Sequence, residues 1–150
     1  MKPSLLLVLL LAILVPPAMG AEDGSQVATS TVEEFHEALA AQNKDEALAF
    51  LSPDVLIFES GGAELSRDEY AGHHLGADMG LSAATTRKVT EQQAGQEGDV
   101  AWVLTRSETS GTFRDKEIAI RGVETMLLGH TPDGWKIFHI HWSSRAKKEK

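Results

Sequence analysis

Trp135-Lys136-Ile137-Phe138-His139-Ile140-His141-Trp142-Ser143 reads as the last strand of the chain, and its alternation decides how the rest is read. A strand turns alternate side chains to one face, so His139 and His141 project together, about 7 Å apart. Ile137 and Ser143 join them in strict alternation, while Lys136, Phe138, Ile140 and Trp142 take the other face.

Working back from this strand, Thr131-Pro132-Asp133-Gly134 has proline and glycine at turn-favoured places, and residues 95–99 supply a second turn. Between and before these turns, strands are predicted near 83–94, 100–113, 117–129 and 135–143, an antiparallel meander. Upstream, Asp54-Val55-Leu56-Ile57-Phe58-Glu59 is a β-branched and aromatic run, hence a strand. Gly61-Gly62 turns it, and Ala63-Glu64-Leu65 pairs back.

The helical signals come first in the chain. Ser30-x-x-Glu33 is a capping box with Val32, Phe35 and Leu39 at helical spacing, giving a helix over about 30–42. A shorter helix covers 44–51, closed by Ser52-Pro53 because the residue before proline avoids the α region. Ser66-x-x-Glu69 opens a third helix through Tyr70, His73, His74 and Leu75, in which His74 and Asp78, four apart, share a face with Tyr70. Three helices and an antiparallel sheet make an α+β domain, the helices laid on one face of a curved sheet.

The order of elements, Phe35 to Leu39, Asp54-Val55, and the closing Trp135-Lys136-Ile137-x-His139-x-His141-x-Ser143 resemble the NTF2-like superfamily. The similarity is to its SnoaL-like group and to the association domain of calcium/calmodulin-dependent kinase II. The resemblance implies a cone: a strongly bent antiparallel sheet with three helices enclosing a pocket, and homodimers formed through an exposed sheet face. It implies no single activity, because the superfamily holds isomerases, cyclases, dehydratases and non-catalytic modules. No residue here aligns with the isomerases' aspartate base.

On that frame the apolar Phe138, Ile140 and Trp142 are assigned to the subunit interface, and His139 and His141 to the pocket. Glu59 follows the face of Val55 and Ile57, and an inward position would raise its pKa. The ligand-binding set is then Glu59, Tyr70, His74, His139 and His141. Two chemistries stay open. His74, Asp78, His139 and His141 form a nitrogen-rich set suited to zinc or copper. Alternatively, histidine and carboxylate flank an organic substrate and move a proton. A non-catalytic dimerisation module is the third reading. Arg106 and Glu108 share a face with Trp102 and Leu104, and would pair either in the pocket or at the dimer surface.

Residues 1–21 read as a secretory signal peptide: Lys2, eleven apolar residues from Leu5 to Val15, then small residues around Ala18 and Gly20. That apolar run spans about 16 Å as helix, against about 30 Å of hydrocarbon in a bilayer. Residues 22–29 are expected to be disordered, 30–144 to form the domain, and 145–150 to be a solvated basic tail. The expected location is periplasmic or secreted, with no membrane association after cleavage. The chain has no cysteine and a formal charge of −8, which becomes −9 when Lys2 leaves with the leader. Such a surface repels nucleic acid and anionic lipid.

Overall fold

The computed structural model describes residues 23–147, so the signal-peptide reading of 1–21 lies outside the described residues. The elements run α1 (Gly24–Ala40), α2 (Lys44–Ala49), β1 (Leu51–Glu59), β2 (Gly62–Glu64), α3 (Arg67–Gly72), α4 (Leu75–Ala84), β3 (Thr85–Glu97), β4 (Val100–Phe113), β5 (Lys116–Thr131) and β6 (Gly134–Ala146).

Six strands form one curved sheet in the order β2-β1-β6-β5-β4-β3. The meander β3 to β6 is antiparallel as expected, but β1 joins β6 in parallel. Pro53, which has no N–H to donate, sits where the β1–β6 register is interrupted between Leu51 and Leu56. Val32, Phe35 and Leu39 of α1 bury one stripe against Val103, Met126, Leu128, Ile137 and Ile140 of the sheet, all at most 2% exposed. Burying such a side chain contributes about 1.5–3 kcal/mol, which fixes α1 across the concave face.

Helix α1 begins six residues earlier than the capping box suggested. Asp23 is the N-cap, its carboxylate accepting from the Ser25 amide at 3.1 Å. The small residues of 24–29 allow close packing: a Cβ on Gly24 would collide with Gln96 and Trp135. The third helix is two, broken at His73-His74. The basic end is also no free tail as far as 147. Arg145 and Ala146 pair with Arg121 and Ile120 inside β6, and Lys147 donates through Nζ to Glu108 at 2.8 Å. Residues 148–150 lie outside the described residues.

A bulge in β6 overturns the expected facing of the terminal strand. Ile137 pairs with Leu128 and His139 with Leu127, so Phe138 is an extra residue on β6. The alternation resets there, and Ile137 and Ile140 both enter the core, completely buried. Trp142 follows on the concave face beside Glu124. His139 and His141 therefore stand on the convex, outer face. Burial of the larger apolar side chains outweighs any gain from turning imidazoles inward.

Candidate functional site

Between α1, α4 and the concave sheet lies a cavity of about 570 Å³. Its wall includes His36 and Leu39 of α1, Glu59 of β1, Asp78 and Leu81 of α4, Arg87 of β3, Glu124 of β5 and Trp142 of β6. Two polar groups occupy it.

The first joins α3 to α4. Tyr70, wholly buried, donates its hydroxyl to Asp78 Oδ2 at 2.9 Å. Burial pushes the Asp78 carboxyl up to about 6, against the lowering effects of the Tyr70 hydrogen bond and the His74 charge; the Glu59 carboxylate adds to the rise. Burial, then the charge and hydrogen bond of Asp78, drive the Tyr70 phenol far above its ordinary range. Asp78 is thus a carboxyl able to hold or release a proton close to neutrality, and Tyr70 a hydroxyl that does not ionise. Glu59 lines the same cavity.

The second group surrounds Glu124, which is 8% exposed. His36 Nε2 lies 2.8 Å from Oε2, the Trp142 indole N–H donates to the same oxygen at 2.6 Å, and Arg87 donates to Oε1 at 3.2 Å. A carboxylate only accepts, so His36 carries its hydrogen on Nε2. Burial raises the Glu124 carboxyl, but His36, Arg87 and Trp142 outweigh it and hold the group below its usual value. This ion pair network is closed: it orients Trp142, whose ring sits 6.4 Å from that of Tyr70, linking the two groups.

The expected site residues divide. Glu59 and Asp78 line the cavity, and Tyr70, wholly buried, reaches it only through its hydrogen bond to Asp78. His74 does not: its ring is bound to Glu64 of β2 through Nδ1 and is 60% exposed. His139 and His141 lie on the opposite sheet face, where His139 Nδ1 meets the Leu56 carbonyl at 3.0 Å and its ring stands edge-on to Phe58. The four-residue zinc or copper set is therefore dispersed, and among the described residues no three His, Asp or Glu side chains cluster to hold a metal ion. Arg106 and Glu108 are on the outer face too, paired with Glu91 and with Arg121 and Lys147 respectively, not with each other.

His36, Arg87 and Glu124 are not singled out by the sequence, and Trp142, assigned there to the subunit interface, lies in the cavity instead. One signal existed for Glu124: it is the single charged residue in phase with the inward run Gly122, Met126 and Leu128. A carboxylate on the buried face of a strand requires partners.

A search of curated protein sequences finds no match. Among solved structures, a protein of Shewanella frigidimarina named as a proposed ketosteroid isomerase is 38% identical over 77% of this chain and 94% of its own, with a TM-score of 0.74. A dehydratase candidate of the NTF2-like family from Streptomyces avermitilis superposes with a TM-score of 0.72 at 17% identity, covering 83% of this chain and 97% of its own. A protein of Xanthomonas campestris named as a proposed calcium/calmodulin dependent protein kinase II association domain gives 0.69 at 17%, covering 88% and 93%. The last two likenesses establish the fold alone. The family model of the SnoaL-like domain matches residues 28–147, and the chain belongs to that family, with a fold shared with NTF2-like structures.

Proposed function

We propose that the cavity binds a small organic molecule with an enolisable carbonyl and moves a proton on it without a cofactor. The observation that carries this reading is Asp78: a cavity-lining carboxyl with a pKa of about 6, hydrogen-bonded to Tyr70 and sharing the cavity with Glu59. Two acids in one pocket whose environments differ are suited to opposite roles. Glu59 accepts the proton from the carbon next to the carbonyl, and Asp78 gives its own proton to the carbonyl oxygen, forming the enol. Where a double bond lies β,γ to the carbonyl the enol is a dienol, and return of the Glu59 proton to its γ-carbon, with the hydroxyl proton going back to Asp78, yields the conjugated isomer. The name given to the Shewanella relative agrees with this class of chemistry.

The test uses a β,γ-unsaturated cyclic ketone, followed by the ultraviolet absorbance of its conjugated isomer. The expected rate exceeds that of buffer and falls by about 100-fold or more in Glu59→Gln and in Asp78→Asn. It also falls as pH rises through about 6, because Asp78 then loses the proton it must donate. A rate equal to buffer, or one indifferent to both substitutions, contradicts the proposal.

Two further parts of the reading concern context. Leu56, Phe58, Leu104 and Val123 are 39–51% exposed on the outer face, and we infer that this face pairs two copies of the chain. Sedimentation is expected to give a dimer for the unaltered protein and a folded monomer for Val123→Asp; a monomer in both cases removes the inference. Export is the proposal for the N-terminal segment, checked by the mass of the protein recovered outside the cytoplasm, which should begin after Gly20 or Ala21.

A further inference from the structure

Tyr70 and Asp78 are eight residues apart, and in a continuous helix that separation advances about 12 Å along the axis. Their hydroxyl and carboxylate nevertheless meet at 2.9 Å. The contact exists only because the helix breaks between them. Helix α3 ends at Gly72, with the His73 and His74 amides closing back on the Tyr70 carbonyl at 3.2 Å each. Helix α4 starts anew from the His74 carbonyl, which accepts from Ala77 and Asp78 at 2.9 and 3.0 Å. His74 is thus the pivot of the turn.

What fixes the pivot is a side chain from the sheet. The His74 Nδ1 binds Glu64, a carboxylate only 5% exposed at the end of β2. Strand β2 is in turn paired to β1, with Glu64 opposite Ile57 and Gly62 opposite Glu59. One contact therefore ties the helix break to the strand that carries Glu59. The groups facing Asp78 across this junction are Tyr70 and His74 from the helices and Glu59 from β1. An exposed ion pair would hold little, but Glu64 is buried, and without His74 its carboxylate is left unpaired among the described residues.

We propose that Glu64 and His74 form a positioning pair that sets the α3–α4 break and so holds Tyr70 against Asp78. The inference rests on the proton-transfer reading above. Neither residue lines the cavity; both act through the pair they orient.

Tyr70 is the only tyrosine in the chain, so tyrosine labelled with carbon-13 at Cζ gives one resonance that reports this contact alone. In the unaltered protein that resonance is expected to inflect near pH 6 as Asp78 titrates. In His74→Ala and Glu64→Ala the inflection falls toward about 4, the value of an open aspartate. Glu64→Gln, which keeps an acceptor for Nδ1–H, retains the original curve. The direction separates this role from a mere charge effect, since loss of the His74 charge alone would move the inflection up. An inflection that stays or rises in His74→Ala overturns the proposal. His74 is largely exposed, so that variant decides the matter even where Glu64→Ala does not fold. An unaltered protein with no inflection at all, matching Asp78→Asn, removes the proton-transfer reading together with the pair.

Discussion

Glu124→Ala is expected to lower stability by about 3–5 kcal/mol, the range for breaking a buried ion pair from one side. That is a large share of the about 5–15 kcal/mol that holds a domain folded. The loss arises because His36, Arg87 and the Trp142 indole all direct their donors at the missing carboxylate. Arg87 keeps a quarter of its side chain in solvent, which places the expected value toward the lower end. Urea denaturation at neutral pH measures it. The pH dependence follows from the depressed folded-state pKa of Glu124. Its contribution is present above the unfolded carboxylate value and is lost as pH falls through the lower folded value. The difference between the unaltered protein and Glu124→Gln should accordingly shrink in acid. A Glu124→Ala protein as stable as the parent contradicts the assignment of Glu124 as the hub of the concave face.

Asp78→Asn is expected to act in the opposite direction. The folded-state pKa of Asp78 is raised from 3.8 to about 6, so the folded protein binds a proton more tightly than the unfolded chain does. Stability is therefore highest below the unfolded value, declines as pH rises toward 6, and stays reduced above it. Two pH units correspond to about 3 kcal/mol. Asparagine keeps an acceptor for the Tyr70 hydroxyl and cannot ionise, so the variant should be about 3 kcal/mol more stable than the parent above pH 6 and equal to it below about pH 4. Isomerisation of the test ketone should be lost in the same variant. A gain in stability with a loss of chemistry is the signature of a group kept at a cost for function. Equal stability at all pH values would show that the carboxyl is not desolvated.

The fold was legible in the sequence wherever a pattern was strongly periodic or punctuated. The strands between Thr85 and Ala146 lie close to where alternation and the Pro132-Asp133-Gly134 turn put them, and Val32, Phe35 and Leu39 form the buried stripe of α1 as expected. Three features were not. The parallel β1–β6 pair is a long-range contact that local pattern does not encode. The start of α1 was obscured because Gly24, Ser25 and Ala28 look like linker composition, whereas Gly24 packs against Gln96 and Trp135 and Ala28 is buried in the core. The bulge at Phe138 reversed the histidine face, since one inserted residue moves a strand's whole set of side chains to the other side.

The candidate site divides along the same line. Tyr70 and Asp78 share a face in the helical reading and do meet, but only through the break at His74, which periodicity did not indicate. Glu59 reached the cavity from the face of Val55 and Ile57, as the strand register allowed. His36, Arg87 and Glu124 come from α1, β3 and β5, separated by up to 88 residues. No spacing rule brings such a trio together before the sheet is built.

The proposed chemistry requires one carboxyl to retain its proton inside the cavity almost to neutrality. The direct measurement is a titration of the aspartate carboxyl carbons by NMR, with Asp78→Asn identifying the resonance of Asp78. A midpoint near pH 6 is the predicted result; a midpoint near about 4, the ordinary aspartate value, would contradict it.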